Sequence, residues 1–242
     1  MFCSVRWRFL VRKEIYPNGG RDNYLAPIYH EMAMESYYLA TTELQKIVNA
    51  DYLISETTDA FANMHKHIIS TIVFSAMTVE SFLNNYAAAC LGDDVFYENF
   101  DKLSSIGKFQ LIVRFVLKTD IDKSKAHYSL LKKLFHNRDK LIHSKSKSSK
   151  FRGYGKDELL ELKQLGVFDV KNYEELRLDN REIREDMQDA LDALKCMHEI
   201  AIFFDNIDSN AYVTAVFFPA SEFMEGKEYA KVIYPLLGIA CH

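Results

Sequence analysis

Residues 55–94 read SETTDAFANMHKHIISTIVFSAMTVESFLNNYAAACLGDD, and their pattern decides the fold. Phe61, Met64, Ile68, Ile72, Ala76, Val79, Leu83 and Tyr86 recur at three- and four-residue intervals. That spacing puts all eight on one face of an α-helix. SETTD supplies a cap and LGDD a stop, so the pattern predicts one helix from near residue 57 to about Cys90. A helix longer than average suits a bundle, where side-by-side packing buries a long apolar stripe. Its least polar stretch, residues 68–79, is too short for a bilayer and is bounded by His67 and Glu80, so no membrane span is expected.

The neighbouring segments repeat this pattern. Upstream, Pro27 is a good first-turn residue, and Met34, Tyr37, Tyr38, Thr41, Leu44, Ile47 and Val48 keep helical spacing over 28 to about 54. Downstream, shorter segments at 95–100 and 104–117 precede a helix from Asp122 to about His143, with Leu130, Leu131, Leu134, Phe135, Leu141 and Ile142 as its apolar side. Residues 144–157, SKSKSSKFRGYGKD, have no apolar period and read as a loop, followed by a short helix at 158–165. A last clear helix covers 181–204, and the segment MEGKEYAKVIYPLLG, 224–238, fits no single pattern. Residues 5–16 alternate like a strand, and YVTAVFF, 212–218, is a candidate partner for them. The expected fold is thus mainly all-α, an up-and-down helical bundle with a small terminal β-ribbon. Residues 1–26 form an extension, 27–207 the helical domain and 208–242 a second extension.

Composition fits this. The chain has 242 residues, 48% of them hydrophobic, with only 4 Pro and 9 Gly, so forced breaks are few. Cys3, Cys90, Cys196 and Cys241 are too far apart in sequence for a zinc motif and read as reduced thiols. The start, MFCSVRWRFLVRK, carries charges inside its apolar run, unlike a secretion signal, and a cytoplasmic location is expected. Net charge is -4 but uneven: residues 118–152 hold eleven Lys or Arg against three Asp. A positive patch on an acidic body attracts a phosphate-bearing partner, although a solvated surface segment has the same composition.

The chemistry-bearing stretch is SLLKKLFHNRDKLIHSKSK, 129–147. Arg138 lies four residues after Leu134 and four before Ile142, on or beside the buried stripe, where a guanidinium needs a partner. Asp139 and His143, four apart, share another face. Arg138 and His143 are five apart, about 140° around the helix, so one groove holds both only at a helix end or with a second subunit. Two readings stand on spacing alone. In one, Arg138 pairs with Glu80 across the bundle and His143 is a helix-end histidine favoured by the dipole. In the other, the pair acts on a phosphate.

RDKLIH, residues 138–143, resembles the signature of the HEPN superfamily, all-helical domains named for higher eukaryotes and prokaryotes nucleotide-binding. That signature is an arginine, a polar residue, then a histidine a few positions on. SAMTVESFLNNYAAA, 75–89, is similar to the helix that often precedes it, with Glu80 and Asn84 or Asn85 in matching places, and SSIGKFQ around Lys108 is a fainter match. The resemblance spans roughly 28–205. It implies a metal-independent, usually dimeric endoribonuclease, of a toxin or antiphage-defence kind, that uses no cofactor. His143 would act as base on the 2′-hydroxyl or as acid on the leaving oxygen, and Arg138 would hold the scissile phosphate. Asp139 would orient one of them. Glu80 and Asn84 would support the site, and Lys140, Lys145, Lys147 and Lys150 would contact flanking phosphates. Partners would be RNA or a nucleotide, a second copy, and an antitoxin protein. Many members are non-catalytic binding modules, which is the rival implication. Two positions depart from the pattern: Lys145 stands where some members carry a modifiable tyrosine, and Asp139 replaces the commoner Asn or His.

Other sites are weaker. His65 and His67, two apart, point away from each other in a helix, no HExxH or Walker loop occurs, and Asp51, Glu56 and Asp59 read as a solvated junction. No metal site is expected.

Overall fold

The computed structural model describes residues 25–49, 54–142, 180–208 and 227–238. All regular structure among them is helical: α1 (Leu25–Asn49), α2 (Ile54–Leu91), the single turn α3 (Asp93–Val95), α4 (Ser105–Leu111), α5 (Ala126–Ile142), α6 (Asn180–Ile207) and α7 (Glu228–Leu237). α3 and α4 each run on into a wider, π-type turn, Phe96–Phe100 and Ile112–Val116. Both strand candidates, residues 5–16 and 212–218, lie outside the described residues, as do the loop at 144–157 and the helix expected at 158–165. No helix among the described residues is long and apolar enough to cross a membrane.

The ends of the helices follow local chemistry. α1 begins two residues before Pro27, which therefore sits in the first turn, where its missing N–H costs no hydrogen bond. α2 ends at Gly92, whose φ of 87° leaves the helical region. Ser104 caps α4 by accepting a 3.1 Å bond from the Gly107 N–H. α5 starts at Ala126 rather than the expected Asp122, because Asp122 accepts from both the N–H and the hydroxyl of Ser124 (2.9 and 2.6 Å). That local turn competes with the helix for the same backbone. The undecided segment near the C-terminus is helical over Glu228–Leu237, closed by Gly238 in the left-handed region with φ 74°.

Pairings across the bundle give its topology. The chain reverses between Asn49 and Ile54, and Tyr29 stacks on Phe74, so α1 and α2 are antiparallel. His65 meets Asp186 and Tyr86 meets Asp208, so α2 and α6 run parallel. Lys133 of α5 bonds Asp189 and Asp192 of α6 at 2.7 Å each, while His127 lies against Phe203, so α5 is antiparallel to α6. α7 packs on α1, tied by an ion pair between Lys227 and Glu31.

The predicted stripe of α2 is the core. Met64, Ile68, Ile72, Ala76, Val79, Leu83 and Tyr86 are buried, and Phe61 packs against them. Alanines on three helices, among them Ala33, Ala40, Ala76, Ala190 and Ala201, are buried where the helices meet. At the far end Phe82, Tyr86, Phe109, Phe203 and Phe204 form a cluster of edge-to-face and tilted rings with centroids 4.9–6.1 Å apart.

The stripe expected on α5 holds only in part. Leu131, Leu134 and Phe135 are buried, but Leu141 and Ile142 are exposed. The antiparallel register explains this. Lys133 faces Asp189, so the last turn of α5 is level with the first turn of α6, and among the described residues α6 does not extend past it.

Candidate functional site at the end of α5

Arg138 is the best-defined polar feature of that helix end. Its guanidinium lies over the Phe135 ring, 5.0 Å from the centroid, and is 24% exposed. Nη1 donates to Glu80 Oε2 of α2 at 3.1 Å. Nε donates to Asp139 Oδ1 at 2.9 Å, and Nη2 lies 2.9 Å from the same oxygen. A guanidinium has five N–H donors in a fixed fork. Three face these two carboxylates, which leaves one on each terminal nitrogen without a partner among the described residues.

This geometry follows from the spacing. Leu134 and Phe135 are buried, so a residue three or four positions on must come back to the edge of the same face. A long cation there lays its stem on apolar surface and turns its head to a carboxylate. Glu80 occupies the matching edge of α2, one residue past buried Val79. The Arg138–Glu80 pairing considered from sequence is therefore present. Both partners are partly solvated, Glu80 at 33%, so the pair contributes about 1 kcal/mol or less to stability. Its main effect is to fix where the fork points.

The other expected site residues separate. Asp139 accepts from Arg138, one of the two residues it was expected to orient. Lys140 is exposed. His143, Lys145, Lys147 and Lys150 lie outside the described residues, which end here at Ile142. Asn84 does not reach Arg138. It stands one turn past Glu80 on α2 and accepts a 2.8 Å bond from Lys108 Nζ of α4.

Lys108 is the residue that composition did not single out. It is only 2% exposed, with its ammonium 5.8 Å from the centre of the Phe96 ring and bonded to the Asn84 amide. The clue was positional: Lys108 is three residues after Ser105 and four before Ile112, both buried. One turn of α2 thus presents two acceptors, Glu80 to a cation from α5 and Asn84 to a cation from α4.

Three titratable groups elsewhere are held neutral by burial. His30 is buried on α1, and burial, then the nearby His198, bring its pKa down to about 4, so it stays neutral at pH 7. Burial, then Asp208, push the Cys90 thiol up to about 12, and burial raises Cys196 as well, so neither is a ready nucleophile. No group of three His, Cys, Asp or Glu among the described residues is placed to hold a metal ion. No family model, curated protein or solved structure matches the chain.

Proposed function

We propose that this chain is a metal-independent endoribonuclease whose active centre lies at the C-terminal end of α5. The observation that carries the reading is the Arg138 fork, held at the bundle edge by Glu80 and Asp139, with one N–H on each terminal nitrogen that has no partner among the described residues. Those two donors suit a bidentate grip on a phosphate. His143 follows Arg138 by five residues, the order and spacing of the HEPN signature. In this scheme the 2′-oxygen attacks phosphorus as its proton leaves, and the bond from phosphorus to the 5′-oxygen breaks. His143 takes the proton from the 2′-hydroxyl or gives one to the leaving oxygen. Arg138 meets the extra charge on the phosphoryl oxygens. The products are a 2′,3′-cyclic phosphate and a 5′-hydroxyl, and DNA is resistant because it has no internal nucleophile. Lys140, Lys145, Lys147 and Lys150 supply sequence-independent attraction. A homodimer would bring two such helix ends to one cleft. The cellular role we assign is that of a toxin or antiphage effector acting in the cytoplasm, held in check by an antitoxin protein.

A second reading has an observation of its own. One guanidinium between two carboxylates is locally net negative, which weakens ground-state attraction for phosphate. On that basis the same helix end would belong to a non-catalytic module for nucleotide binding or dimerisation.

The deciding experiment incubates purified protein with mixed RNA in EDTA beside His143→Ala and Arg138→Ala. Cleavage that survives chelation and vanishes in both variants is the expected result. Equal cleavage by His143→Ala removes that residue from the mechanism, and an inert wild-type protein leaves the binding module as the better account.

A further inference from the structure

Phe115 is 70% exposed, more than any other large apolar side chain among the described residues. It stands in the π-type turn that ends α4. Its apolar neighbours turn inward: Ile112 and Val113 are buried, and Val116 and Leu117 pack on the core. Among the described residues, Leu111 one turn back is half-buried, and no other exposed large apolar side chain lies within a turn of Phe115 along the chain.

Its flanks are cationic. Arg114 and Lys118 are exposed, and neither has an ion pair among the described residues. Lys118 also adopts φ 52°, a left-handed conformation that costs a side-chain-bearing residue about 1 kcal/mol or more relative to glycine. Beyond it come Asp120, Asp122, Lys123 and Lys125, all exposed, so residues 114–125 carry four cations against two carboxylates. A protein partner is normally met by a continuous apolar patch. One ring bracketed by cations is instead the arrangement that binds single-stranded nucleic acid, where a base stacks and its neighbouring phosphates are neutralised. The comparison within the molecule is Tyr97, 60% exposed but set among Asp93, Asp94, Glu98 and Asp101, which repel a polyanion.

We propose that Arg114, Phe115 and Lys118 form an RNA-docking surface that stacks one unpaired base on the Phe115 ring and holds the flanking phosphates on the two cations. The proposal deepens the RNA reading above and depends on it. α4, which carries this surface, is tied through Lys108 and Asn84 to the same turn of α2 that holds Arg138.

The test measures binding of a labelled single-stranded oligoribonucleotide to the full chain by fluorescence anisotropy, with cleavage blocked by His143→Ala. Phe115→Ala is expected to weaken binding roughly tenfold, the usual range for losing one base stack. Phe115→Trp retains affinity and Phe115→Leu does not. Arg114→Gln and Lys118→Gln each weaken binding and make it less salt-dependent, by about one phosphate contact apiece. Tyr97→Ala changes nothing, and a blunt RNA duplex is insensitive to Phe115→Ala because it offers no unpaired base. Circular dichroism confirms folding, which an exposed ring should not disturb. If wild type binds the strand and Phe115→Ala binds it equally, this surface is wrong while the RNA reading survives. If Phe115→Ala weakens binding but no RNA is ever cleaved, the surface stands and the nuclease falls. Failure of wild type to bind any strand overturns both. Loss of self-association in place of RNA affinity would mark Phe115 as a protein contact and overturn the proposal.

Discussion

Acid should unfold this protein partly through one histidine. His30 is 1% exposed, on the buried face of α1 in its second turn, and its pKa falls from the ordinary 6.5 to about 4. Burial is the larger cause, because charging the ring there means losing its hydration; the neighbouring His198 adds repulsion. In the unfolded chain the same imidazole protonates near pH 6.5. Between those two values the unfolded state therefore binds more protons, and stability falls as pH falls through that window. Two and a half pK units at 1.36 kcal/mol each come to about 3 kcal/mol, lost by the time pH reaches 4. That is a large part of the 5–15 kcal/mol typical of a folded domain. His30→Leu removes this titration and leaves that of His198, which Glu199 partly offsets, in both proteins. Urea unfolding followed by far-UV circular dichroism, at steps from pH 7.5 to 4, gives each protein's stability curve. The wild-type curve should drop about 3 kcal/mol further than the variant's. Parallel curves, differing by a constant offset at every pH, would show that His30 does not titrate abnormally and would refute the argument.

Other perturbations test the packing and the site. Asn84→Leu strips Lys108 of its acceptor and leaves a buried ammonium, so it should cost about 3 kcal/mol, and adding Lys108→Met should recover most of that in a thermal melt. Phe204→Ala empties the centre of the aromatic cluster and should cost about 3–5 kcal/mol by urea midpoint. Glu80→Gln should change stability by about 1 kcal/mol or less, since the pair is partly solvated, and on the proposed nuclease reading it should lower RNA cleavage because the anchor of the Arg138 fork loses its charge; unchanged turnover would show that Glu80 does not position it. Lys133→Met, which opens the bridge to Asp189 and Asp192, should lower the melting temperature more at low salt than at high salt.

Much of the helical architecture was legible from period alone. The apolar stripe of α2, the first-turn Pro27, the stop at Gly92 and the extent of α6 depend on interactions within a few residues, and local spacing encodes those directly. Arg138 could be placed at the stripe's edge for the same reason. Two of the places where expectation and structure part show what an apolar period leaves out. The start of α5 moved because an aspartate turn took its first residues, and Leu141 and Ile142 are exposed because the facing helix begins at their level. Periodicity names the apolar face of a helix but not whether another helix reaches far enough to cover it.

The candidate site divides the same way. Residue order placed Arg138 and Asp139 side by side and Glu80 at the edge of its stripe. Only the crossing of α2 with α5 and α4 decided that Glu80 meets Arg138 while Asn84 meets a buried lysine 24 residues away. Contacts between distant segments depend on the relative axial shift of whole helices, and a sequence carries that only through the sum of all the packing it specifies.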